Sequence, residues 1–144
     1  MRVASALVDT GALLALLDRD DRWHAACTDA FASLRLPLAT SSAVLTELFH
    51  LLGDDRPAVV AGWRLMRSGA ITVQPIGDSD LPALDQLMSR YHGRPMDFAD
   101  ATLVHLAQRL SLSTILTVDN DDFETYRIGT KKRFRVVPGR RVGK

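Results

Sequence analysis

A single cysteine, Cys27, stands in this chain of 144 residues. No internal disulfide framework can form, which suits a reducing cytoplasm. The thiol falls inside a helical pattern, "WHAACTDAFASL", where small buried packing is its expected role. Long apolar runs are missing as well. The longest stretch without a charge is "LPLATSSAVLT" (36–46), eleven residues, far short of the ~20 that span a bilayer. Nor does the start read as a signal peptide, since Asp9 interrupts the apolar run of residues 3–8. Lysine is absent before position 131: all three lie at Lys131, Lys132 and Lys144. The four histidines, His24, His50, His92 and His105, show no zinc-ligand spacing and are expected on helix surfaces or partly buried.

What remains is an ordinary globular composition, 47% hydrophobic and 24% charged, in a chain long enough to bury one core. A net charge of +1 conceals an uneven distribution. Residues 127–144 carry eight basic side chains and no acid, leaving ten basic and 17 acidic side chains before them. Such asymmetry fits either a solvated basic end or a nucleic-acid contact. Lys131, Lys132 and Arg133 are its densest part. No repeat or linker interrupts the chain, so residues 1–138 are read as one domain and 139–144 as a basic tail.

Short apolar runs alternate with helical periods. Strands are expected over 3–8, 36–41, 70–76, 113–118 and 134–138. Helices are expected over 12–18, 23–34, 42–52, 56–69, 79–93 and 97–110, and an acidic turn over 119–122. Val44, Leu48, Leu51 and Leu52 share one helical face, as do Ala99, Leu103, Leu106 and Leu110. Ser41 or Ser42 is a suitable cap for the helix of 42–52. Alternating strands and helices imply right-handed crossovers and a mainly parallel sheet covered on both faces. The expected fold is a three-layer α/β/α sandwich.

In open parallel sheets, ligands bind beyond the carboxyl ends of the strands. Asp9 follows the first strand and Asp119 the fourth. Glu47 lies early in the helix after the second strand, and Asp97 and Asp100 open the helix that leads to the fourth. Asp97 and Asp100 stand about 60° apart on their helix and can face one point. Asp100 is nearer the apolar stripe; Asp97 is the natural N-cap. Asp9 alone could equally cap the helix of 12–18. A carboxylate turned toward a core needs a positive partner, and no lysine or arginine is close in sequence. A hard divalent cation with oxygen ligands would answer that need.

Four segments, "VDTGALLALLDRDDRWHAA", "TSSAVLTELFHLL", "MDFADATLVHLAQRL" and "ILTVDNDDF", resemble in order and spacing the PIN-domain ribonucleases. The likeness is greatest to the VapC-like toxins of toxin–antitoxin pairs, and it runs from Val8 to about Val137. The resemblance implies a PIN-like α/β/α fold and endonucleolytic cleavage of RNA dependent on Mg²⁺ or Mn²⁺. It assigns Asp9, Glu47, Asp100 and Asp119 as the catalytic acids. Asp9, Asp100 and Asp119 would hold metal, with Glu47 acting directly or through water. Thr10, Asp97, Asp121 and Asp122 would support them. It also implies a homodimer and inhibition by a small antitoxin whose arginine enters the acidic groove. The helix of 56–69, with Trp63, Leu65 and Met66, could serve an interface or the core. Lys131, Lys132 and Arg133 are candidate RNA contacts.

Rival enzyme classes fit poorly. Haloacid-dehalogenase-like phosphatases want a second Asp two residues after the first, where Gly11 stands, and receiver domains need a lysine near the acids. The remaining alternative is a catalytically idle PIN fold that binds RNA or protein.

Overall fold

Two strands rich in apolar residues, β1 (Leu7–Val8) and β4 (Thr114–Thr117), lie side by side at the centre of a five-stranded parallel sheet. β2 (Leu38–Ser41) and β3 (Ile71–Gln74) extend it on one side, and β7 (Arg135–Pro138) on the other, giving the order β3-β2-β1-β4-β7. The structure is a computed structural model and describes residues 3–94 and 96–140. Leu7 pairs with both Ala39 and Ile115, so the first strand has neighbours on each side. Burial on both faces is why β1 and β4 sit in continuous apolar runs, whereas the edge strand β3 alternates, with Ile71 buried and Val73 exposed.

The helices are α1 (Thr10–Leu17), α2 (His24–Ser33), α3 (Ser42–Leu52), α4 (Arg56–Met66), α5 (Leu81–Arg90), α6 (Phe98–Arg109) and α7 (Asn120–Thr125). α1 and α2 pack on β4, and α2 also reaches β7; α6 packs on β2 and against α5. The three layers expected from the alternation are therefore present. α6 is the most enclosed helix, with Ala99, Leu103 and Leu106 buried and Ala101, Thr102, Val104 and Ala107 buried with them. Truncating Leu103 or Leu106 would cost about 2–5 kcal/mol. Beneath the sheet's carboxyl edge, hydroxyls satisfy each other: Ser41 Oγ and Thr102 Oγ1 are 2.8 Å apart, and Thr40 Oγ1 donates to the Val8 carbonyl at 2.9 Å.

Several expectations need correction. The acidic segment 119–122 is not a plain turn. It begins α7, with Asp119 as the cap accepting from the Asp122 amide. Leu51 leaves its expected core face and is 56% exposed, while Val44 and Leu48 are fully buried. The helix expected over 79–93 starts as a 3-10 turn at Asp78–Asp80 and ends at Arg90. Asp80 is buried there, accepting from the Gly77 amide, His105 and Arg109. The basic stretch before the expected strand of 134–138 is itself paired. Residues Arg127–Ile128 (β5) and Lys132–Arg133 (β6) form an antiparallel hairpin before β7. The tail beyond Arg140 lies outside the described residues. Among the described residues, no helix is long and apolar enough to cross a membrane.

Candidate active site

β1 ends at Val8, and the next residue caps α1. The Asp9 amide donates to the Leu116 carbonyl at 3.0 Å, which ties it to β4. Its Oδ1 accepts from the Thr10 amide at 2.7 Å and its Oδ2 from Thr117 Oγ1 at 3.1 Å. Thr117 Oγ1 in turn accepts from the Asp119 amide at 3.0 Å, so one hydroxyl links the acids at the ends of β1 and β4. Asp9 is thus both a helix cap and a wall of the acidic cavity. Burial, opposed by the Thr10 amide and Thr117 and reinforced by the charges of Glu47 and Asp119, raises its pKa to about 6.

Thr10 does a second service. Its Oγ1 donates to Glu47 Oε1 at 2.7 Å, fixing the α3 carboxylate beside the start of α1. Ser41, the cap of α3, sets that helix's position by accepting from the Val44 amide. On α6, Asp97 is the N-cap, its Oδ1 accepting from the Asp100 amide at 2.8 Å. Asp100 turns inward and is 9% exposed. Burial first, then the charges of Asp9 and Asp97, pushes its pKa up to about 8. Tyr126 counters this by donating its hydroxyl to Asp100 Oδ2 at 2.9 Å. That tyrosine is fully buried and meets Tyr91 and Phe123 edge-on, with ring centroids 5.1 and 5.2 Å away. Burial and Asp100 push its own ionisation well above the ordinary tyrosine range, so it remains a donor. For Asp119, burial and the neighbouring Asp122 carboxyl raise the pKa to about 6.

Asp9, Glu47, Asp97, Asp100, Asp119 and Asp122 therefore line one cavity of about 320 Å³ at the carboxyl edge of the sheet. A larger, mostly apolar groove of about 570 Å³ adjoins it, shares Glu47 and Asp97, and includes Ala43, His50 and Phe98. Arg94, unanticipated from sequence, meets the cavity through Asp122, and Arg140 of the basic end lines a neighbouring hollow. Arg94 Nε binds Asp122 Oδ1 at 2.9 Å. Arg140 binds both Asp121 and Glu124 at 2.6 Å, which holds the Asp121 carboxyl below its usual range. Asp122 faces the acidic cavity; Asp121 is exposed and does not line it. Lys131, Lys132 and Arg133 are not brought to the acids. They precede β7, whose first residue pairs with Thr114 at the start of β4, the edge opposite the cavity.

The donor set suits a hard cation. Every acid offers oxygen, and Asp9 and Asp100 resist ionisation because they are buried beside other carboxylates. Among the described residues no three acids, histidines or cysteines converge as a ready-made cage. Mg²⁺ does not require one, since it keeps several waters and binds through one or two carboxylates. Thr117, Tyr126 and Arg94 were not singled out from sequence. Hydroxyls and guanidinium groups have no pattern of their own, and these act on acids 108, 26 and 28 residues away.

The PIN domain family model matches residues 6–128, a span that includes all six acids of the cavity. Ribonuclease VapC26 of Mycobacterium tuberculosis is 32% identical over 136 residues, covering 92% of this chain and 99% of that protein. The crystal structure of Mycobacterium tuberculosis VapC20, described as a sarcin–ricin loop cleaving toxin, superposes with a TM-score of 0.74. It is 24% identical and covers 81% of this chain and 92% of its own, a likeness that bears on the fold alone.

Proposed function

The chain belongs to the PIN-domain family, and from that premise we propose that it is a metal-dependent endoribonuclease, the toxin of a toxin–antitoxin pair. The observation that carries this reading is the gathering of Asp9, Glu47, Asp100 and Asp119 around one cavity at the sheet's carboxyl edge. The ribonuclease name of VapC26 supports it.

Asp9, Asp100 and Asp119 would hold Mg²⁺ or Mn²⁺, with Glu47 beside them. When bound, the cation supplies a water acidified toward neutral pH and positive charge on the phosphate oxygens. The chain's own residues set the stage for that chemistry. Thr10 and Thr117 fix the Asp9 carboxylate through both oxygens, and Tyr126 fixes Asp100 through one. Glu47 has one oxygen tied to Thr10 and would use the other to take a proton from the attacking water. Asp97 acts through Asp100, whose amide it caps. Asp122 supports Asp119, and Arg94 prevents that pair from adding two uncompensated charges. Arg94, bound to Asp122, and Arg140, bound to Asp121 and Glu124 beside it, would meet phosphates flanking the cut. Lys131, Lys132 and Arg133 would reach only more distant phosphates.

For partners, the acidic cavity would accept an arginine of a small antitoxin, and the adjoining apolar groove at Phe98 would take the segment around it. Trp63, half exposed and stacked on Phe49 at 4.6 Å, together with exposed Leu51 supports a homodimer surface. The work of such an enzyme lies in the cytoplasm, where its RNA is.

Incubating the purified chain with total RNA in Mg²⁺, Mn²⁺ or chelator tests the central claim. Discrete cleavage products should appear with metal and vanish with chelator, and Asp9→Asn and Asp100→Asn should abolish them while remaining folded. Undiminished cleavage by both variants would overturn the assignment. Size-exclusion chromatography showing a concentration-independent monomer would remove the dimer.

A further inference from the structure

Beside the acidic cavity, across the wall formed by Val118 and Asp119, lies a second hollow of about 330 Å³. Its other lining residues are Arg22, Trp23, Asn120, Asp121 and Arg140. Asp121 accounts for Arg140 here, but none of the acids assigned above accounts for Trp23 and Asn120. Asn120 is 7% exposed, and its Oδ1 has no hydrogen-bond partner among the described residues. Its Nδ2 reaches the Val118 carbonyl only at 3.5 Å, the limit of a hydrogen bond. A buried amide in this condition costs stability unless something completes it. Oδ1 is closed off from solvent, so a ligand would complete it once the amide turns toward the hollow. The amide then presents a donor and an acceptor side by side, as does the edge of a nucleobase.

The aromatic neighbour points the same way. Trp23 is half-buried at the start of α2, and the Arg22 guanidinium carbon lies 5.8 Å from its ring centroid. Indole and guanidinium faces are the platforms on which bases stack in proteins that bind single strands. Arg140, held by Asp121 and Glu124, adds a positioned cation at the mouth. The volume is at the small end of the ~300–1,000 Å³ range of ligand pockets, room for one nucleotide and no more. Val118 and Asp119 line both cavities, so an occupant here would lie one residue's width from a phosphate over the acids. The lining combines one aromatic ring with charged and amide groups, the mixture that a base and its phosphate call for.

We propose that this hollow is a nucleotide subsite of the enzyme, holding the residue of RNA adjacent to the scissile phosphate, its base against Trp23 and Asn120. The proposal rests on the ribonuclease reading above. It makes Trp23 and Asn120 determinants of where RNA is cut, a role separate from that of the acids.

Two measurements test it. In the full chain carrying Trp63→Phe and Asp100→Asn, Trp23 is the sole tryptophan and cleavage is removed. Titrating adenosine 5′-monophosphate and a hexameric RNA should quench its fluorescence saturably, and Asn120→Leu should weaken that binding. No quenching by either probe overturns the subsite. Quenching by an oligo-glutamate peptide in place of RNA assigns the hollow to a protein partner and overturns it too. Separately, the wild-type chain is given a cleavable oligonucleotide in which each position in turn is abasic. One position next to the cut should lose roughly ten- to a hundredfold in kcat/KM, the scale of a lost stacking contact. Trp23→Ala should lose as much on the intact oligonucleotide and no more on the abasic one, while Trp23→Phe keeps most activity. Equal tolerance at every position overturns the placement beside the cut, even if Trp23→Ala fails to fold. If RNA is not cleaved at all, the ribonuclease reading falls, and the fluorescence titration still decides whether the hollow takes a nucleotide.

Discussion

Replacing Asp100 by Asn should make the metal-free protein more stable near neutral pH while destroying its activity. Asp100 titrates near 3.8 in an unfolded chain and about 8 in the fold. The folded state holds the proton more tightly, so this carboxyl's contribution is fully present below pH 4 and is lost as pH rises toward 8. Across that window each pH unit costs about 1.4 kcal/mol, which sets an upper bound of roughly 4 kcal/mol at pH 7. Asp9, raised to about 6, titrates within the same window and shares the repulsion. A gain of about 2 kcal/mol on neutralising Asp100 is therefore expected, or about 6 °C in Tm for a domain of this size. The Asn side chain keeps an acceptor for the Tyr126 hydroxyl, so the swap does not open a new unpaired donor. Asp80, held near 2 by the Gly77 amide, His105 and Arg109, acts in the opposite sense but below this window. The assay is thermal melting in chelator from pH 5 to 8.5 for both proteins. Wild type should lose stability as pH rises, and added Mg²⁺ should recover more Tm at pH 8 than at pH 5. If the Asp100→Asn variant melts at or below wild type throughout, or if metal-free wild type gains stability from pH 5 to 8, the reasoning fails.

Other expectations follow from single contacts. A Cβ at Gly11 would stand 2.7 Å from Val118 Cγ2; Gly11→Ala should cost about 1–2 kcal/mol and, by shifting the approach to Asp119, lower kcat by more than the melt implies. Tyr126→Phe removes the donor from a buried carboxyl; chemical denaturation should show a loss of about 1 kcal/mol, and cleavage should fall roughly tenfold. Thr10→Val unties Glu47, and initial rates should drop roughly 10- to 100-fold with Tm nearly unchanged, Thr10→Ser restoring them. Cys27 is fully enclosed, and burial followed by the charge of Asp21 pushes its thiol up to about 11. The native protein should resist thiol reagents at pH 8 that label it readily in denaturant.

The acids themselves are legible without coordinates because they sit where local pattern predicts an edge. Asp9 ends an apolar run, Asp97 precedes a helical stripe, and Asp119 ends another run, each a position that strand and cap chemistry would mark. Helix cap and cavity wall are not alternatives for Asp9, since one carboxylate does both. Leu51 misleads because periodicity identifies a face and not what covers it. At the rim of the acidic cavity nothing among the described residues does. The strand of 134–138 is legible from its apolar run, but the hairpin of 127–133 before it is not, because charge count ignores backbone pairing.

By itself the sequence determined the α/β alternation, the parallel sheet and the list of acids, because hydrophobic period and capping act within a few residues. Only the tertiary structure decided which hydroxyls and guanidinium groups hold those acids, that Asp122 and not Asp121 faces the cavity, and that Asn120 and Trp23 share a second hollow. Those contacts join groups on different elements, and their partners are chosen by how β1, β4 and α6 pack, a choice that local pattern does not encode.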